Sequence, residues 1–181
     1  MKKLLLFSVL LLTTLSVFAY ETIIIKYPPG DLWVKAYYKK INGESILQYV
    51  PKGESKDSWK RTIIIHAYEF PRYQLNVFMA TNMEKLLKAN PTGKYRYLKY
   101  SDNDIIATRC TADYKDIKGQ CEFFRVSRAH GGIISMHYIN RDKIDFLNNY
   151  DLWFDIVKRT VYYNSYYRDD RTLDKAEYFE L

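Results

Sequence analysis

Glycine and proline are scarce, seven and five in 181 residues, which excludes a collagen-like or low-complexity chain. Two cysteines cannot staple a disulfide-dense miniprotein or fill a four-cysteine zinc site. The three histidines, His66, His130 and His137, form no H-E-x-x-H and match no metal-ligand spacing. A nucleophile elbow G-x-S-x-G is missing, because Gly53-Glu54-Ser55 lacks the second glycine. The His130-Gly131-Gly132 turn has neither the further glycines nor the following helix of a phosphate loop. These lacks leave catalytic residues, metal ligands and a cofactor site all unassigned, and they weigh against an enzyme.

One segment has a clear purpose. Lys2 and Lys3 precede an apolar run, Leu4 to Leu12, and Val17-Phe18-Ala19 offers small side chains at −3 and −1 of a cleavage site. This reads as a secretory signal peptide, residues 1–19, cut after Ala19. The run is about half the ~20 residues of a bilayer span, and no later stretch is apolar and long enough to cross. Removal of Lys2 and Lys3 takes the formal charge from +7 to +5. The expected location is the periplasm or the medium. The cations are scattered, so they read as a solvated face with weak contact to anionic surfaces. Outside the cytosol Cys110 and Cys121, with ten residues between them that include Asp113, Asp116 and Gly119, are expected to form a disulfide.

Hydrophobic residues make up 48% of the chain, enough for a packed core. Residues 20–167 read as a single domain and 168–181 as a polar tail in which Tyr178, Phe179 and Leu181 are able to dock. Short β-branched runs predict strands at Thr22–Tyr27, Leu32–Lys40, Glu44–Val50 and Thr62–Phe70, with Asn42-Gly43 as a hairpin turn. Ser55 is placed to cap a single helical turn that aims Trp59 inward. Leu75, Met79, Met83 and Leu86-Leu87 mark a helix over 73–90. Strands at Tyr95–Tyr100, Ile105–Thr111, Gln120–Arg128 and Ile133–Asn140 make a meander, with Asp102-Asn103-Asp104 as one turn. From Asp142, the positions Leu147, Tyr150, Phe154, Val157 and Val161, with Phe146 and Trp153 broadening the stripe, predict one helix of about twenty residues. The fold class is α+β: an antiparallel meander of six or seven strands whose apolar face two amphipathic helices cover.

The run Pro51, Gly53, Glu54, Ser55 and Trp59 matches the pattern P-x-G-E-S/T-x-x-x-W. With the order hairpin, tryptophan turn, strand, helix, Cys-linked meander and terminal helix, the chain resembles the Mog1/PsbP-like α/β/α sandwich over about residues 32–160. It is similar in particular to small exported bacterial proteins. The motif is structural and transfers no catalytic residue. The resemblance implies a binding or assembly factor, and for exported relatives a host-interaction role.

Tyrosine is the unusual feature, eighteen in all, with a dense cluster in KYRYLKY. Tyr95, Tyr97, Tyr100 and Arg96 are the candidate binding residues. Such residues suit a half-buried strand, a protein or glycan contact surface, or base stacking beside cations. Export disfavours the nucleic-acid reading. The leading functional expectation is an exported, non-enzymatic binding or accessory protein with a protein or glycan partner. The alternative is a small secreted hydrolase with a His–carboxylate site around His66 or His137.

Overall fold

The computed structural model describes residues 21–68, 74–128, 132–164 and 177–180. The expected leader, His130 and most of the expected polar tail lie outside the described residues.

The elements run β1 (Glu21–Ile25), β2 (Trp33–Ile41), β3 (Glu44–Pro51), β4 (Arg61–Tyr68), α1 (Leu75–Ala89), β5 (Lys94–Tyr100), β6 (Asp104–Cys110), β7 (Cys121–Arg128) and β8 (Ile133–Asn140). They continue with α2 (Lys143–Asn148), α3 (Tyr150–Arg159), β9 (Val161–Asn164) and β10 (Glu177–Glu180). The fold is α+β. Seven strands form one antiparallel sheet in the order β2-β3-β4-β8-β7-β6-β5. Two meanders therefore meet where β4 pairs with β8. A separate sheet, β10-β1-β9, takes the N-terminal strand and a strand from within the 168–181 stretch. The β2–β3 hairpin turns on Asn42 and Gly43, whose φ of 50° and 77° are the left-handed values that a tight hairpin demands.

Successive strand residues point to opposite faces, and both faces of this sheet are apolar. Phe124, Ile105, Ala107, Val126 and Ile133 pack with Leu75, Phe78, Met79 and Met83 of α1. Their chain neighbours Phe123, Ile106 and Ile134 pack instead with Phe146 of α2 and Trp153, Ile156 and Val157 of α3. The helices thus serve two clusters, not one shared face. Trp153 stacks on Tyr138 at a ring separation of 3.8 Å.

Three local expectations are corrected. The terminal helix is two helices. Asp142 caps α2 by accepting from the N–H groups of Ile144 and Asp145. Asn149 then donates its side-chain amide to the Asp145 carbonyl and carboxylate, a local bond that competes with the helical ladder. The break resets the phase, so Leu147 is 54% exposed while Trp153, Ile156 and Val157 turn inward. Val161 leaves the helix for β9, pairing with Ile24, because β-branched and aromatic side chains there suit a strand.

Ser55 caps no helix. It closes a tight turn in which Ser55 and Ser58 exchange backbone bonds and the Ser55 hydroxyl accepts from Ser58 N–H. Trp59 is half-buried under the Arg141 guanidinium, 3.7 Å from its ring centre, instead of in the core. Asp104 is not a turn residue but the first residue of β6, and its carboxylate is bound by Arg125, Lys99 and Ser127.

Candidate functional site

The structure offers two constellations. The first is the tyrosine cluster. β5 is an edge strand, and nearly all its residues are exposed. Its register places Tyr95 opposite Arg109, Tyr97 opposite Ala107 and, after a bulge between Tyr97 and Lys99, Tyr100 opposite Ile105. All three rings therefore stand on the α1 side of the sheet. They touch in sequence, edge to face, with centroids 5.7 Å and 5.8 Å apart. Exposures of 44%, 41% and 60% leave the ladder open to a partner. At its far end Tyr100 lines a cavity of about 280 Å³ with Gln74, Leu75, Asn76 and Arg128. Burial, and after it the neighbouring Tyr95 and Tyr100 hydroxyls, raise the Tyr97 pKa above the ordinary tyrosine value.

Arg96 is not part of that ladder. Together with Lys94 and Lys99 it pairs with Thr108, Cys110 and Ile106, on the α2–α3 side. Its Nη2 donates to the Tyr150 hydroxyl at 3.3 Å. The alternation of KYRYLKY, which looks like interleaved rings and cations, is resolved by the pleat into an aromatic face and a basic face. Stacking of bases beside cations needs both on one face.

The second constellation crosses five strands. Glu44 Oε1 lies 3.0 Å from His66 Nδ1, the His66 and His137 rings are 6.1 Å apart, His137 Nδ1 lies 3.3 Å from Glu122 Oε2, and Glu122 Oε1 lies 2.8 Å from Arg109 Nε. In strand terms the row runs β3, β4, β8, β7, β6. His66 stacks on Tyr68 and His137 on Phe124, which fixes both rings. Burial penalises the Glu122 carboxylate, yet His137 and Arg109 together hold its pKa below the ordinary value. Burial lowers the His66 pKa, and His137 adds to that while Glu44 opposes it. Tyr68 is pushed up to about 12, first by burial and then by Glu44.

Of this row, the sequence marks only the histidines. The signal for Glu122 is its parity: it shares a face with Phe124 and Val126 in a strand that is buried along almost its whole length. A charge at such a position requires a partner. Ser135, opposite His66 in the register, is buried and spends its hydroxyl on Tyr68. Among the described residues no group of three or more His, Cys, Asp and Glu side chains is arranged to hold a metal. No described helix is long and apolar enough to cross a membrane. Cys110 and Cys121 face each other across β6 and β7 and form a disulfide.

The chain matches no protein-family model, no curated protein and no solved structure.

Proposed function

We propose that this chain is an exported, non-enzymatic binding or accessory protein that meets a protein or glycan partner through Tyr95, Tyr97 and Tyr100. The observation that carries the reading is the exposed, contiguous ladder of three tyrosine rings on one face of an edge strand. Tyrosine offers a large rigid ring with a polar tip at small entropic cost, which is why it concentrates in contact surfaces. Both sheet edges carry a β-bulge and lysines, which blunt strand-to-strand addition and leave recognition to side chains.

Export follows from the leader-like residues 1–19 and agrees with the disulfide. The Mog1/PsbP-like resemblance supports a docking role. In this reading Glu54 of its motif ties the turn to the start of β4 by accepting from the N–H groups of Lys60 at 2.8 Å and Arg61 at 3.5 Å. For a bacterial source the same resemblance extends the proposal to a secreted host-interaction factor.

The test is capture of partners from periplasmic extract, host lysate and a glycan array by the mature chain and its Tyr97→Ala variant. Tyr97 lies at the centre of the ladder, so its loss is expected to weaken binding by more than tenfold, as for a contact hot spot. Unfolding should move by less than about 0.5 kcal/mol, because the site is on the surface. Equal capture by both proteins would remove the ladder from the account.

The second reading, a small hydrolase, is favoured by one observation: each of His66 and His137 has a glutamate on Nδ1, the arrangement that orients a general base. It requires ester, peptide or glycoside turnover that His66→Ala abolishes.

A further inference from the structure

We propose that His66 and His137 form a two-imidazole site for a divalent late transition-metal ion, Cu²⁺ or Zn²⁺, bound through both Nε2 atoms with water completing the shell. The inference is independent of the tyrosine ladder. An ionised carboxylate only accepts, so Glu44 and Glu122 fix each neutral imidazole as the Nδ1–H tautomer and leave the lone pair on Nε2. Metal-binding histidines typically have this partner on the non-ligating nitrogen.

Strand order sets the direction. His66 is on β4 and His137 on β8, which are adjacent, while their glutamates are on the outer neighbours β3 and β7. Each Nδ1 is thereby drawn outward, and the Nε2 edges are left on the inner side of the pair. Neither Nε2 has a hydrogen-bond partner among the described residues. Two imidazoles on one ion, with metal–nitrogen bonds of ~2.1 Å, hold their ring centres roughly 5–6.5 Å apart. The observed separation is 6.1 Å. Side-chain exposures of 23% and 16% leave water, and hence an ion, a route to the pair.

The row also has a suitable charge. With both imidazoles neutral it holds two carboxylates and one guanidinium, a net of one negative charge beside the site. Imidazole ligands favour Cu²⁺ over Zn²⁺, and both over Mn²⁺, by the usual stability order.

The test uses the mature chain with its disulfide intact. Zn²⁺ is titrated while the imidazole proton resonances are followed, and Zn²⁺ and Cu²⁺ affinities are measured by calorimetry. The expected result is one ion per chain, simultaneous shifts of two of the three imidazoles, and tighter binding of Cu²⁺ than of Zn²⁺. His66→Ala and His137→Ala should each weaken binding at least tenfold, Glu44→Gln several-fold, and His130→Ala not at all. The resonance experiment needs no variant and stands if a substitution unfolds the chain. Absence of saturable binding at millimolar ion, a shift confined to one imidazole, or undiminished affinity in either single histidine variant would overturn the site.

Discussion

Arg125 shows how much one side chain organises. Its Nε and Nη2 grip the two oxygens of Asp104 at 2.8 Å and 3.3 Å. Its Nη1 donates to the carbonyls of Val157 and Thr160, both at 2.7 Å, so a strand residue caps the C-terminus of α3. Burial raises the Asp104 pKa, but the bonds from Arg125, Lys99 and Ser127 outweigh it and the net shift is downward. A carboxylate with a lowered folded pKa stabilises the fold above its unfolded value, ordinarily 3.8, and the contribution fades as pH falls through the folded value. Stability should therefore drop on acidification below about pH 4. Asp104→Asn should flatten that limb and cost about 3 kcal/mol at neutral pH, the low end for a broken buried pair. Urea unfolding of both proteins from pH 7 to pH 3 checks both outcomes, and parallel acid limbs would exclude Asp104 as the titrating group. The role of Asp104 was not legible in the sequence. Its Asp-Asn-Asp context has turn composition, while the partner that defines it lies 21 residues away.

At the level of elements, the sequence carries the local signals but not the junctions between them. Asn42-Gly43 announces its hairpin, and the α1 stripe of Leu75, Met79 and Met83 is buried as its spacing requires. The division of the last helix at Asn149 escapes a periodicity argument, because an apolar stripe continues across a break that one side chain makes. The β6–β7 connection is legible in both respects. Asp113 accepts from Gly119 N–H at 2.7 Å, and a Cβ on Gly119 would meet backbone atoms of Thr111 and Ala112 at 2.9 Å. The disulfide closes that connection with a sequence separation of 11, for which the chain-entropy model gives about 3 kcal/mol. The paired substitution Cys110→Ser and Cys121→Ser should lower unfolding stability by about 2–3 kcal/mol and keep the seven-stranded sheet. Circular dichroism with denaturant titration reads both. Loss of the sheet signal would show that the bridge, and not the core, holds β6 to β7.

For the whole molecule, the pleat decides what the composition leaves open. Tyrosines and cations that alternate along β5 part to opposite sides, and histidines 71 residues apart in number from 66 to 137 meet in one row. The first needs the strand alternation, which the sequence shows, and the bulge after Tyr97, which it does not; the second depends on register and strand order. With the β5 cations Lys94, Arg96 and Lys99 on the far face, a partner of the ladder is held mainly by ring contact. Its affinity should change by less than about threefold between ~50 and ~300 mM salt, a range over which screening removes most exposed charge contacts. A steep salt loss would instead assign binding to the scattered basic surface. The most direct test compares partner affinity of the mature chain, the Tyr95→Ala, Tyr97→Ala, Tyr100→Ala triple variant and Arg96→Ala. The expected result is binding lost in the triple variant and unchanged in Arg96→Ala; full binding by the triple variant would contradict the account.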